Sequence, residues 1–223
     1  MDKNNITRNK MFSGKNASEV FGEVFVINDW SSTESRSGMG STLEYTINTR
    51  KQLPLVWEAY DINKVVDIGC GDFNWMKEIV NTLDYYKGTD IVEAITQINN
   101  ERYHKHNKIE FETCDIIEGC NFKAKEFDAI ILKDVLVHFP TAVAIEVLNK
   151  IKNTGIKYAF ITHFNEIEKN TDIGAFGEWR PLNMSLDTFN IGDPIEIIHE
   201  EGEKYNWLEQ QMEDKTLSLW KIN

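Results

Sequence analysis

Cysteine, proline, arginine and long apolar runs are all scarce in this chain of 223 residues. The three cysteines, Cys70, Cys114 and Cys120, lie in or beside apolar runs and include no C-x-x-C pair. That argues against a zinc site and predicts inert buried thiols in a reducing compartment. His104-Lys105-His106 sits in a charged, solvated stretch, so no metal site is expected there either. No run approaches the roughly 20 apolar residues of a membrane span. Residues Met1 to Lys10 are polar and lack the apolar core of a secretion signal, which points to a cytoplasmic protein. Basic residues are outnumbered, 24 Lys and Arg against 36 Asp and Glu, for a net charge of −12. This balance argues against a sequence-blind nucleic-acid binder or an anionic-membrane binder. The expected partner is a small molecule. No pattern sets an oligomeric state.

The length suits one α/β unit, and 12 Phe, 7 Tyr and 6 Trp can fill its core. Met1 to about Ser18 is polar and reads as a mobile arm. Val20 to Asn28 is apolar without an assignable partner, and Trp30 to Gly40 is a Ser/Gly loop. Residues 1–40 therefore read as an N-terminal arm and lid loop, and 41–223 as the main domain. Ser41 and Glu44 have capping-box spacing, which predicts a helix start, and Pro54 predicts its interruption. From Lys64 onward strand-like runs alternate with helical patterns. The strands expected are Lys64–Ile68, Tyr85–Asp90, Ile109–Cys114, Asp128–Leu132 and Lys157–His163. After Pro140, the residues Ala144, Val147, Leu148 and Ile151 recur at helical spacing, and Gly155 closes that helix. Ile195–His199 and Leu217–Ile222 predict a terminal hairpin around Glu200–Thr216. The pattern is that of a Rossmann-like, mostly parallel sheet with helices on both faces.

The most informative run is Lys64-Val65-Val66-Asp67-Ile68-Gly69-Cys70-Gly71-Asp72-Phe73-Asn74-Trp75-Met76. Val65, Val66 and Ile68 suit a strand buried on both faces. Gly69 and Gly71 allow a sharp turn and close approach of a ligand, and a helix is expected to open at Trp75. Asp67 places a carboxylate near the carboxyl end of that strand, where open α/β sheets bind ligands. A dinucleotide fold prefers G-x-G-x-x-G, and the third position here is Asn74. Asp90 ends the second strand, 19 residues beyond Gly71, where a carboxylate can take two ribose hydroxyls. Asp115 ends the third strand and can accept from an adenine amino group, with Ile91 and Ile116 sandwiching the ring. Each aspartate also has a plain reading, as a helix cap, a solvated strand end or a turn residue.

These four strand-end motifs, with Lys133-Asp134-Val135-Leu136-Val137-His138-Phe139-Pro140 as the last, resemble class I S-adenosylmethionine-dependent methyltransferases. The resemblance implies a seven-stranded sheet whose last strand is antiparallel. It implies Asp67, Gly69, Cys70 and Gly71 at the methionine half of S-adenosylmethionine, Asp90 at the ribose, and Asp115 with Ile116 at adenine. A narrower likeness lies in Asn28-Asp29-Trp30, Ser37-Gly38-Met39-Gly40-Ser41, the glycine turn, Lys133 to His138, and Trp179-Arg180-Pro181-Leu182-Asn183. These are similar to a bacterial methyltransferase family that includes O-methyltransferases ascribed to capsular phosphoramidate modification. Lys133 stands where that pattern usually has Arg, and His163 where Thr is usual.

His138 is the main catalytic candidate. It follows the fourth strand, and imidazole titrates near neutrality, so it can take a proton from a hydroxyl. Asp134, four residues earlier, would orient it on a helix. A structural histidine is the competing reading. Arg180 suits bidentate holding of phosphate or carboxylate, with Lys133 as a second cation and cofactor contact. His163, Trp179 and Asn183 are further acceptor-site candidates. Trp30 and Trp75 can wall the cofactor or acceptor, or pack as core tryptophans. Ser37, Ser41 and Arg50 form a candidate lid segment. Together these predict O-methylation of a small polar or anionic acceptor in capsule or surface-glycan biosynthesis. The alternatives are an NAD-dependent oxidoreductase, for which Tyr60 and Lys64 have the Tyr-x-x-x-Lys spacing, and a non-catalytic protein that binds S-adenosylmethionine.

Overall fold

The computed structural model describes residues 12–200 and 214–223. In chain order it contains helices α1 (Ala17–Ile27) and α2 (Ile47–Tyr60), strands β1 (Lys64–Ile68) and β2 (Tyr85–Asp90), and helix α3 (Glu93–Tyr103). Strands β3 (Ile109–Thr113) and β4 (Ala129–Leu132), helix α4 (Thr141–Asn153), and strands β5 (Tyr158–Phe164), β6 (Glu196–His199) and β7 (Lys215–Lys221) follow. The strands form one sheet of order β3-β2-β1-β4-β5-β7-β6. Pairs β1–β2, β1–β4, β2–β3 and β4–β5 are parallel, and β7 runs antiparallel to both β5 and β6. This is the Rossmann-like sheet expected from the sequence, with β7 as its antiparallel strand.

The period of two along each strand builds two cores. Val66, Ile130, Ala159 and Ile161 face one side with Val147, Leu148 and Ile151 of α4. Val65, Ile131 and Phe160 face the other with Leu53 and Trp57 of α2. Alternation of wholly apolar residues to both faces is what a parallel sheet covered on two sides requires. α4 ends in Thr154, and Gly155 follows at φ +75°, the left-handed conformation that stops the helix. α1 starts in a capping box between Asn16 and Glu19 and packs Val20 and Val24 on Phe12.

Several local expectations give way. The helix does not start at Ser41; Met39–Ser41 is a short 3₁₀ turn, and α2 begins only after Thr46. The Thr42 hydroxyl accepts from the Tyr45 N–H (3.2 Å), so the capping role falls one residue later and closes a turn. Pro54 does not interrupt α2. The cost of a missing helical hydrogen bond, about 3 kcal/mol, is offset by burying Leu53 and Trp57. No α-helix opens at Trp75: the return from β1 to β2 is wound as 3₁₀ turns at Met76–Glu78 and Val80–Thr82. Gly71 and Phe73, both at positive φ, use up the first residues of that connection, and too few remain for a long helix. Cys114 and Cys120 are not free thiols. They form a disulfide, with Cα atoms 6.0 Å apart, because the loop folds back through a Gly119 N–H to Asp115 carbonyl bond. Cys70 is free and buried. The part of the terminal hairpin at 201–213, and residues 1–11 of the arm, lie outside the described residues.

Candidate active site

The carboxyl ends of β1, β2 and β4 meet where the strand order reverses, the usual ligand crevice of such sheets. Gly69 and Gly71 turn the chain there at φ +74° and +56°. The Gly69 and Cys70 N–H groups donate to the Thr89 carbonyl (2.7 and 2.9 Å), pinning the turn to β2. A Cβ on Gly69 would lie 2.6 Å from Val135, and one on Gly71 would strike the Ser37 hydroxyl. Only glycine fits this cradle. Asp67 is buried beneath it and accepts from the Tyr86 hydroxyl (2.8 Å). Burial pushes its carboxyl up to about 7, with Asp90 adding to the rise. Asp90 accepts from the Gly71 N–H (3.0 Å) and the Val92 N–H (2.9 Å), and burial raises it to about 6. Asp115 accepts from the Ile117 N–H (2.8 Å) at the end of β3; Ile116 is buried beside it and Ile91 is half-buried.

The loop before α2 is seated on this turn. Ser35 and Ser37 donate through their hydroxyls, and Arg36 through its N–H, to the Asp72 carboxylate (3.0, 3.3 and 2.8 Å). The Asp72 N–H donates back to Ser37 (2.9 Å). Asn74 donates to the Ser41 carbonyl (3.1 Å). The sequence offered Ser37 and Ser41 as a lid but gave no partner; Asp72 and Asn74 are those partners. Arg50 instead stays local, donating to Thr46 and to the Leu43 carbonyl. Trp75 is a core residue, 4% exposed among Phe73, Met76 and Leu53.

A quartet of charges, buried except for a partly exposed Asp134, stands beside this loop. Lys133 lies 2.6 Å from Asp134 and 3.1 Å from Glu200; Lys215 lies 2.6 and 2.9 Å from the same two carboxylates. Lys133 also donates to the lid's Gly40 carbonyl (2.9 Å). Burial pushes the Asp134 carboxyl up, but the two lysines outweigh it and hold it well below the usual range. Burial lowers Lys215, and Asp134 with Glu200 more than reverse this. The Lys133 ammonium is thus committed to internal partners rather than presented to an acceptor. Neither Lys215 nor Glu200 was a site candidate in the sequence, since they come from distant strand ends.

His138 closes the 3₁₀ turn Leu136–His138 after β4. Its Nδ1 lies 2.9 Å from the Glu178 carbonyl, which can only accept, so Nδ1 carries a proton. Trp30 tilts over the imidazole at 5.4 Å, and Phe21 meets it edge-on at 6.4 Å. Asp134 does not orient His138. The segment is not α-helical, Asp134 sits at φ +58°, and its carboxylate faces the lysines.

Arg180 holds no acceptor in this arrangement. It is 3% exposed and donates to the carbonyls of Thr171 (3.0 Å), Leu136 (3.1 Å) and Val137 (3.0 Å). Burial pulls its guanidinium down to about 10. It ties the loop after β5 to the turn that carries His138. His163 is fully buried, accepts the Met184 N–H at Nδ1 (3.1 Å) and packs edge-on against Trp220. Burial lowers its pKa. Asn183 donates to the carbonyls of Asn165 and Ile167, and Trp179 packs against Phe164. Both shape the loop that Arg180 anchors. Tyr60 donates to Glu196 and, with Lys64, lies at the opposite end of β1 from the glycine turn. The dehydrogenase-like pair is therefore remote from the crevice. Among the described residues no three His, Cys, Asp or Glu side chains gather into a metal set, and no helix is long and apolar enough to cross a membrane.

Residues 65–154 match the family model of a methyltransferase domain. Among curated proteins no sequence matches. Magnesium protoporphyrin IX methyltransferase from Synechocystis PCC 6803, solved with bound S-adenosylmethionine, aligns at a TM-score of 0.62. Identity is 13%, over 93% of this chain and 97% of that one. The N-methyltransferase NodS from Bradyrhizobium japonicum WM9, in complex with S-adenosylhomocysteine, aligns at 0.63 with 12% identity, over 90% and 97%. A bacterial Hen1 methyltransferase domain aligns at 0.45 with 13% identity, over 53% of this chain; the alignment spans 65% of that domain. The glycine cradle, two buried carboxylates and the Asp115–Ile116 pair suit a cationic nucleoside-type group of this kind.

Proposed function

We propose that the chain is an S-adenosylmethionine-dependent methyltransferase that methylates oxygen on a small polar or anionic acceptor in capsule or surface-glycan biosynthesis, a reading supported by the match of residues 65–154 to a methyltransferase domain. A phosphoramidate-bearing sugar is one such acceptor. When bound, the cofactor supplies a methyl group on a sulfonium sulfur. In this reading Gly69, Cys70 and Gly71 cradle its methionine half over Asp67. Asp90 takes the ribose, and Asp115 with Ile91 and Ile116 takes adenine. Residues 30–41 form the lid, seated on Asp72 and on Lys133.

The observation that supports a general base is the anchored imidazole of His138. The Glu178 carbonyl holds it through Nδ1, and in this reading the ring takes the proton of an acceptor hydroxyl as the new C–O bond forms. An acceptor that is already anionic would need cations more than a base. Arg180 and Lys133 are both spent on internal partners. A neutral hydroxyl with His138 as base therefore fits better. Aligning oxygen, methyl carbon and sulfur in line would supply much of the remaining rate.

The test is a screen with isotopically labelled S-adenosylmethionine against sugar nucleotides, phosphorylated sugars and matched amines, with the product's methyl position read by mass spectrometry and NMR. Label on a sugar or phosphoramidate oxygen is the expected result. Transfer to nitrogen alone would overturn the oxygen assignment.

A further inference from the structure

Helix α3 presents an unusual inner face. A helix packed on a sheet buries an apolar stripe, yet the buried residues of α3 are Ile95, Thr96 and Asn99. Thr96 has a partner in Thr113 (2.6 Å), and the neighbouring Asn100 donates to the Phe111 carbonyl (2.9 Å). Asn99 is different. It is 0% exposed, and its Nδ2 donates to the Gly71 carbonyl (2.9 Å). Its Oδ1 is buried with no hydrogen-bond partner. An amide half of whose bonding capacity goes unused is a poor core residue, and a leucine would pack there without an unsatisfied oxygen. What leucine would remove is the donor to Gly71.

We infer that Asn99 is a positioning residue for the cofactor turn, acting by clamping the peptide groups of Gly71 together with Asp90. This rests on reading the glycine turn as the cofactor's cradle. Gly71 sits at φ +56°, with its N–H held by Asp90 Oδ2 (3.0 Å) and its carbonyl by Asn99 Nδ2. The Cys70 thiol adds a long contact of 3.6 Å to the same carbonyl. Two elements, the end of β2 and the middle of α3, thus fix one residue from both sides. The turn is held in its ligand-receiving shape before any ligand arrives, so its ordering is not subtracted from binding.

Calorimetric titration of the full chain with S-adenosylhomocysteine tests this, and needs no acceptor. Asn99→Leu keeps the branched shape and removes the donor; its dissociation constant should rise roughly tenfold, with an unchanged circular dichroism spectrum. Asn99→Asp gives a signature that loosened packing would not. As a carboxylate it repels the Gly71 carbonyl, and as a carboxylic acid it can donate to it. Its affinity relative to the parent chain should therefore recover as pH falls. Parent-like affinity in Asn99→Leu overturns the inference. If Asn99→Leu fails to fold, a flat affinity ratio across pH in Asn99→Asp overturns it instead. Gly71→Ala is the control: if it binds S-adenosylhomocysteine like the parent chain, the cradle reading fails, whereas its loss of binding alongside an inert Asn99→Leu defeats only the role of Asn99.

Discussion

Tyr86 of β2 donates its hydroxyl to the Asp67 carboxylate of β1 at 2.8 Å, on the side of the sheet covered by α2. Burial holds the Asp67 carboxyl at about 7, and Asp90 at about 6. In the unfolded chain both titrate near 4. A carboxyl whose folded pKa is raised adds stability that is complete below pH ~4 and is lost as pH climbs through its folded value. For Asp67 the amount is on the order of 4 kcal/mol. The melting temperature of the protein should fall between about pH 4 and pH 7, and Asp67→Asn should flatten that slope. The depressed Asp134 acts only under acid conditions, whereas the lowered His163 opposes the fall below its ordinary range, so the comparison with Asp67→Asn isolates the aspartate. A parent profile flat over this range would contradict the burial of both acids.

Replacing His138 by alanine should lower the turnover number about 10²- to 10⁴-fold. The dissociation constant for S-adenosylhomocysteine should hardly change, since His138 sits on the turn after β4, against Trp30, Phe21 and the Glu178 carbonyl. Steady-state rates with saturating acceptor, compared with calorimetry, separate the two. A variant with full turnover would remove His138 from the chemistry.

Arg180→Met should destabilise the fold by about 2–4 kcal/mol, because it leaves buried carbonyls without donors. The carbonyls affected are those of Leu136, Val137 and Thr171. Affinity for S-adenosylhomocysteine in the surviving folded fraction should be unaffected. Urea denaturation monitored by tryptophan fluorescence reads the first quantity, and titration below the transition the second. Full stability with lost binding would return Arg180 to the ligand site.

Lys215→Met should cost about 3–5 kcal/mol, since Asp134 and Glu200 would then share one lysine in a buried setting. Adding Glu200→Met removes the surplus charge, and most of that loss should be recovered. A double-mutant cycle in guanidinium chloride measures the coupling. Additive losses would mean that the four charges do not act as a unit.

What the sequence revealed depended on how local the signal was. The strands of β1 and β4 and the helix α4 are written in contiguous apolar spacing, and Gly69 and Gly71 name their own turn. The pairing of Asp134 with His138 failed because a spacing of four places two side chains together only on an α-helix. Here the chain is wound more tightly, and Asp134 is turned by its positive φ. Arg180 looked like an anion holder because its carbonyl partners, 43 and 44 residues earlier, leave no mark in the sequence. Asp214-Lys215 stood out only as part of the family likeness, and the pairing of Lys215 with Glu200 leaves no local mark for the same reason. Trp30 and His138 were each legible as candidates, but only the tertiary fold stacks one on the other. Asn99 had one weak signal, a polar residue at a position where helical spacing called for an apolar one.

The placement of β7 also orders events in time. Among the described residues β6 pairs with no strand but β7, and β7 reaches back to β5 across separations of 51 to 63 residues, from Phe164 with Lys215 to Tyr158 with Lys221. During synthesis, β1 to β5 can assemble as each emerges, while β6 must wait unpaired until its neighbour is made. The charge quartet is completed by Lys215 at the start of that same strand. The quartet is thus the last of these features to be finished, and a ribosome-stalled chain ending before residue 215 would leave Asp134 and Glu200 with Lys133 alone. Contacts this distant in sequence are slow to form, so refolding should restore the strand-end turn ahead of the charge quartet.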